Sequence, residues 1–327
     1  MFTKSQHAAW HHVLGLCKLG EGETVIVLGA QGVDTRYRDI ALQVGRELGA
    51  TAAYIEVENA NRLPATALAA LRAADFVVDL SHSHDPEIRK LAPHGTRTLV
   101  VLEPPEILER MLPQAADKDR VLHAQACIRQ SRSMRVTTAA GTDFEVGLGD
   151  LNGNCQYGFS DEPGHWDQWP GAFVTTYGNE GSANGTVVIA AGDIVFPQKE
   201  YVRTPIMLRI EDGYIRAIEG GVDAMLLNAT LDSYGNPEVF AVSHLGWGLS
   251  RNSRWDALGF YDKKDIEGQD GRGHYGNFLF STGPNLSGGG VRRAPLHLDI
   301  PLRDASVWLD DRQMVAAGEV LPPEQRI

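Results

Sequence analysis

Cysteine is scarce. The three in 327 residues, Cys17, Cys127 and Cys155, are odd in number and widely spaced. They offer neither a disulfide framework nor the close pairs of a cysteine-based zinc site, and they suit a reducing compartment. Long apolar runs are missing as well: nothing approaches the roughly 20 consecutive apolar residues that span a bilayer. The opening dozen residues lack both an apolar signal core and an arginine-rich transit character, so the expected location is the cytoplasm. Basic charge is the third shortage. Thirty Lys and Arg face 42 Asp and Glu, a net charge of −12. Binding to phosphate backbones or anionic lipid rests on clustered Lys and Arg, so neither nucleic acid nor a membrane surface is expected as a partner. A small molecule or another protein fits better. What the chain does have is apolar bulk: 43% hydrophobic residues over this length can fill a sizeable core, and two are expected.

The first 130 residues alternate between two periods. Trp10, Val13, Leu14 and Cys17 recur at helical spacing, which predicts an amphipathic helix over residues 4–18. Thr24-Val25-Ile26-Val27-Leu28, closed by Gly29, reads as a strand buried on both faces. Asp34 is placed to cap a helix that buries Ile40, Ala41, Val44 and Leu48. Further strands are expected at Ala53–Val57, Asp75–Leu80 and Thr98–Leu102, with helical segments between and after them. Such alternation predicts a mostly parallel sheet covered by helices. The segment Gly29-Ala30-Gln31-Gly32 lies where a strand meets a helix, but it lacks the dinucleotide fingerprint and reads as a tight turn. From Ser133 the texture becomes strand-rich. Hairpins are signalled by Met134–Thr138 with Glu145-Val146, and by Ile206–Ile210 with Tyr214–Ile218 across Asp212-Gly213. One clear helix is expected near Val222–Leu231. The expected organisation is α/β: a parallel-sheet α/β domain over residues 1–131 and a strand-rich α+β metal-binding domain over 132–327.

The densest chemistry lies near the end. His297-Leu298-Asp299 sits in an apparent strand, where side chains two apart share a face, so an imidazole and a carboxylate would be presented together. An aspartate beside inward-facing Leu and Ile is costly unless it is paired or bound to a metal. His244, in His244-Leu245-Gly246-Trp247-Gly248, ends a second strand. Two His and one carboxylate match the composition of a facial triad that holds Fe(II) and leaves the opposite face open. A hydrogen-bonded core network is the competing reading of the same residues. Ser81-His82-Ser83-His84-Asp85 follows a strand at the carboxyl edge of the sheet, where open α/β sheets bind ligands, and reads equally as a catalytic loop or a helix cap. The run from Asp161 to Pro170 combines aromatic walls with polar groups, as a pocket for a planar ring does.

Several strings, in one order, carry a resemblance. They are Asp161-Glu162-Pro163-Gly164, Ser243-His244-Leu245-Gly246-Trp247-Gly248-Leu249, the run from Tyr275 through Phe278-Leu279-Phe280-Ser281-Thr282 to Asn285, and His297-Leu298-Asp299-Ile300-Pro301-Leu302. Together with Glu103-Pro104-Pro105-Glu106 and Arg110-Met111-Leu112-Pro113, they resemble the 2,5-dihydroxypyridine 5,6-dioxygenases of bacterial nicotinate-type degradation over nearly the whole chain. That family shares its fold with the thermophilic-type metalloaminopeptidases of the aminopeptidase T family. The resemblance implies His244, His297 and Asp299 as Fe(II) ligands and His84 as the group exchanging a proton with substrate. It also implies Glu162, Trp166 and Gln168 in the substrate pocket, and a homo-oligomer. The partners would be O₂ and a hydroxylated pyridine, with N-formylmaleamate as the product and no organic cofactor. One position departs: where the family reads Trp-Asp-His-Trp-Pro, this chain has Trp166-Asp167-Gln168-Trp169-Pro170, and Gln cannot shuttle a proton near neutrality. The alternatives are the same chemistry on a trihydroxypyridine, a metallo-aminopeptidase of the related fold, and a non-enzymatic binding protein. Against the peptidase, that family carries a Glu in place of His244.

Overall fold

Strand–helix alternation in the first third of the chain does build a parallel sheet. The computed structural model describes residues 2–81, 83 and 86–327. Its chain forms two units that interleave in sequence. The first takes the chain up to Asp117, then Gln156–Gly171 and Asp265–Glu267. The second takes Lys118–Cys155, Ala172–Lys264 and Gly268–Ile327.

In the first unit five parallel strands lie in the order Thr51–Val57, Thr24–Ala30, Phe76–Asp79, Arg97–Val101 and Trp166–Trp169. Every residue of Phe76–Asp79 and Arg97–Val101 is buried, as expected of strands covered on both faces. The helix Lys4–Leu16 is held at its start by a capping box between Thr3 and Gln6, and it buries Trp10, Val13 and Leu14. Asp34 caps Thr35–Glu47 as predicted, accepting from the Arg36 N–H at 2.8 Å. Trp166–Trp169, expected within a pocket loop, is instead the last strand of this sheet, paired with Thr98–Val101.

The domain boundary expected at residue 131 also differs from the observed division. From Lys118 onward the helix Ala115–Arg129 belongs to the second unit. There its His123 Nδ1 meets Gln325 Nε2 at 3.1 Å, near the chain's end. Residues 156–171 return to the first unit because Trp166–Trp169 completes its sheet.

The second unit holds an eight-stranded antiparallel sheet. In order it runs Tyr214–Gly220, Ile206–Glu211, Asn184–Ile189, Asp143–Gly147, Ser133–Thr137, Ser306–Leu309, Arg312–Ala316 and Glu319–Val320. The Asp212-Gly213 hairpin turn forms as read, with φ of +51° and +81° at its two residues, the backbone of a type I′ turn. A smaller sheet contains the antiparallel run Leu298–Leu302, Phe278–Thr282, Val242–Gly248 and Phe173–Tyr177. The two sheets meet through Phe144 and Phe280, both fully buried, with rings edge to face at 5.8 Å and 89°. Among the described residues no helix is long and apolar enough to cross a membrane.

Because Phe280 lies on the strand between the two that carry the site described next, its packing supports that site. Phe280→Ala should destabilise the protein by about 3–5 kcal/mol through the cavity it leaves, read as a lower denaturation midpoint in urea.

Candidate metal centre

The smaller sheet brings His244, His297 and Asp299 together, as the sequence suggested. In Leu298–Leu302 the alternate residues Leu298, Ile300 and Leu302 are wholly buried, and Asp299 projects on the other face. His297 directly precedes this strand and shares that face. The intervening strand puts the short side chain of Ser281 at the register of Asp299, and its hydroxyl donates to the His244 carbonyl at 2.7 Å. His244 comes from Val242–Gly248, and the pairing register slips between Val242 and Leu245. A bulge of this kind re-aims a side chain, here the imidazole. Gly246 lets this strand lie close to its neighbour: a Cβ there would sit 1.8 Å from the Val174 carbonyl oxygen. Tyr177, paired with His244 across the strands, supports its ring edge-on at 5.9 Å.

The donor atoms form a small triangle. The two Nε2 atoms are 2.9 Å apart, and Asp299 Oδ1 lies 3.3 Å from His244 Nε2 and 3.1 Å from His297 Nε2. Despite those distances Oδ1 is buried without a well-aligned hydrogen bond among the described residues. A metal bonded at about 2.1 Å to three mutually perpendicular ligands would space their donor atoms about 3.0 Å apart. The triangle fits that spacing. His297 Nδ1 lies 3.1 Å from the Thr282 carbonyl, which accepts only from an N–H. That contact places the ring proton on Nδ1 and leaves Nε2 as a lone pair, the arrangement ligating histidines use. Burial lowers the pKa of His244 and outweighs the nearby Asp299, so the ring is neutral and able to ligate at pH 7. Burial alone would raise the Asp299 carboxyl, but the positive charge of the Arg272 guanidinium acts against it, and the carboxyl stays below the usual range in its anionic form. Arg272 Nε donates to the other oxygen, Oδ2, at 2.7 Å. Among the described residues this is the one group of three or more His, Cys, Asp or Glu side chains close enough to hold a metal ion.

The other predicted site residues belong to the first unit or fall outside the described residues. His84 falls outside the described residues. Glu162, Trp166 and Gln168 belong to the first unit, whereas the triad belongs to the second. Glu162 is exposed, 3.6 Å from Lys18 Nζ. Trp166 lies beneath the Arg89 guanidinium, 3.3 Å from its ring centre, and Gln168 is buried. The segment is organised by Asp167, which is fully buried. It accepts from the backbone N–H groups of Tyr157, Gly158 and Gln168 at 3.0, 3.2 and 2.7 Å. His165 Nε2 approaches it at 3.0 Å, its ring stacked on Tyr157. Burial pushes the Cys17 thiol up to about 12 and raises that of Cys127, which removes the thiolate that cysteine chemistry requires. Sequence reasoning missed Arg272 altogether. The available signal was an arginine between two glycines, Gly271-Arg272-Gly273, in a polar stretch.

A mixed α/β fold presenting two imidazoles and a carboxylate to one point defines a candidate mononuclear metal protein. The comparisons narrow the class. The family model described as NicX, 2,5-dihydroxypyridine 5,6-dioxygenase, matches residues 5–322. The 2,5-dihydroxypyridine 5,6-dioxygenase of Pseudomonas putida is 43% identical, covering 97% of this chain and 96% of that protein. The structure of 2,5-dihydroxypyridine dioxygenase from Pseudomonas putida KT2440 superposes with a TM-score of 0.94 at 41% identity, covering 98% of both chains. The chain belongs to the 2,5-dihydroxypyridine 5,6-dioxygenase family. Wild-type AmpT from Thermus thermophilus shares the fold alone, with a TM-score of 0.63 at 14% identity over 98% of this chain and 100% of that one. That likeness bears out the expected relation to the aminopeptidase T fold.

Two outcomes are expected. His244→Ala, His297→Ala and Asp299→Ala should each weaken binding of a divalent metal by more than the roughly 10–100-fold that loss of an outer partner costs, measured as metal content after dialysis against graded chelator. Asp167→Ala would strand three backbone donors and should lower stability by about 3–9 kcal/mol at about 1–3 kcal/mol for each, with metal content unchanged.

Proposed function

We propose that the protein is an Fe(II)-dependent ring-cleaving dioxygenase that converts 2,5-dihydroxypyridine and O₂ to N-formylmaleamate. The observation that carries this reading is the triangle of His244, His297 and Asp299 in a chain that matches the family over nearly its whole length. The atoms balance without a further reactant: the ring carbon–carbon bond between positions 5 and 6 opens, and both oxygen atoms of O₂ enter the product.

His244 and His297 would hold the iron through neutral Nε2 atoms and Asp299 through Oδ1, so the protein gives the ion a single negative charge. Three protein ligands would leave up to three positions of a six-coordinate ion open, and one of the three, His297, is exposed. Fe(II) bound there supplies a path for electron density from the ring to O₂, so that neither an organic cofactor nor an outside reductant is required. His84 is assigned to remove or return the ring hydroxyl proton, a task suited to an imidazole that titrates near neutrality. Glu162, Trp166 and Gln168 are assigned to substrate recognition. Gln168 can donate and accept hydrogen bonds but cannot carry a proton, which leaves that work to His84. A cytoplasmic location, consistent with free cysteines, and a homo-oligomeric assembly belong to the same reading. The aminopeptidase alternative has only the fold in its favour.

Anaerobic reconstitution with Fe(II), followed by addition of 2,5-dihydroxypyridine in an oxygen electrode, tests the proposal. The expected result is about one O₂ consumed per pyridine, with loss of the ring absorbance, and none with His297→Ala. An iron-loaded wild type that takes up no O₂ would reject the substrate and bring trihydroxypyridines forward. Failure to hold iron would reject the triad.

A further inference from the structure

We propose that Arg272 is a positioning residue that restricts Asp299 to ligation through one oxygen. The inference rests on the metal reading above and concerns how that site keeps its open positions. A carboxylate binds a cation through one oxygen or through both. With both engaged, four of six positions are taken and two remain, whereas ligation through one oxygen keeps three open for substrate and O₂.

Oδ2 is occupied by the Arg272 Nε–H at 2.7 Å, a charge-assisted hydrogen bond, while Oδ1 faces the two imidazoles. The arginine is itself held at several points. Its guanidinium lies over the Phe196 ring, 4.0 Å from the ring centre. The Asn277 side-chain amide donates to the carbonyls of Gly271 and Arg272 at 2.7 and 3.0 Å, which fixes the backbone of the turn. Phe196 in turn bridges the backbone of Asp299, its N–H donating to the Asp299 carbonyl at 2.8 Å and its carbonyl accepting from the Asp299 N–H at 3.3 Å. The contacts close on themselves: the Phe196 backbone sets Asp299, its ring sets the guanidinium, and the guanidinium sets the carboxylate. Gly268 makes the arrangement possible, because its φ is +86° and a Cβ would sit 2.3 Å from the Phe196 ring.

A simple neutralising ion pair needs only a positive charge. A positioning residue needs the planar group, with Nε on the carboxylate and the π face on Phe196. Arg272→Lys separates the two roles, and Co(II) alone is a suitable probe because its visible absorption reports ligand number and geometry without turnover. The wild type should bind one Co(II). Arg272→Lys should bind it about 10–100-fold more weakly with shifted bands of changed intensity, and Arg272→Gln should depart at least as far. Wild-type affinity and spectrum in Arg272→Lys would overturn the proposal, whatever Arg272→Gln does, by showing that charge alone suffices. Should Arg272→Gln fail to fold, Arg272→Lys decides by the same criterion. A wild type that takes up no Co(II) would instead overturn the metal reading and this inference with it.

Discussion

A buried carboxylate with one oxygen left unsatisfied is the constraint around which the second unit is arranged. Asp299 Oδ1 and two imidazole nitrogens crowd within about one hydrogen-bond length of each other without Oδ1 gaining an aligned donor. Convergent lone pairs repel, and a desolvated anion is expensive, so the site exists only because other interactions over-determine it. Three adjacent strands fix the backbone, a bulge turns His244 inward, the Thr282 carbonyl sets the His297 tautomer, and Arg272 stabilises the charge from behind. A divalent cation would resolve what remains.

Asp167 shows the opposite use of the same side chain. It is equally buried, but three backbone N–H groups and an imidazole surround it, so it has nothing left to offer a ligand. Burial or charge alone would not separate the two aspartates. The count of satisfied lone pairs does: Asp167 is a structural hub that shapes the 156–171 segment, and Asp299 keeps a vacancy facing two histidines.

The sequence revealed local periodicity and concealed long-range meeting points. His297 and Asp299 were legible as a pair because strand side chains two apart share a face, and the Asp212-Gly213 turn was legible because its two positive φ values have a chemical signature. His244 was legible as a donor, but its arrival beside His297 depends on register and a bulge between strands far apart in the chain. Trp166–Trp169 looked like a loop because Asp167 and Gln168 are polar; the backbone partners that permit their burial are not written in local pattern. Arg272 was hidden for a related reason. A glycine-rich polar stretch reads as a turn, and nothing local says that its arginine will stack on Phe196 and reach Asp299. The boundary between units was invisible because no flexible linker marks it.

The interleaving of the two units bears on how the protein emerges from the ribosome. Synthesis runs from the N-terminus, and the parallel sheet cannot be finished when its fourth strand, Arg97–Val101, leaves the exit tunnel. Its last strand, Trp166–Trp169, is translated only after the hairpin of Ser133–Thr137 and Asp143–Gly147, which belongs to the other unit. The nascent sheet therefore carries an open edge for that interval, and exposed edges are where chains pair wrongly. Trp166–Trp169 is the last strand to join the sheet, so the first unit's sheet is completed only after part of the second unit has been synthesised.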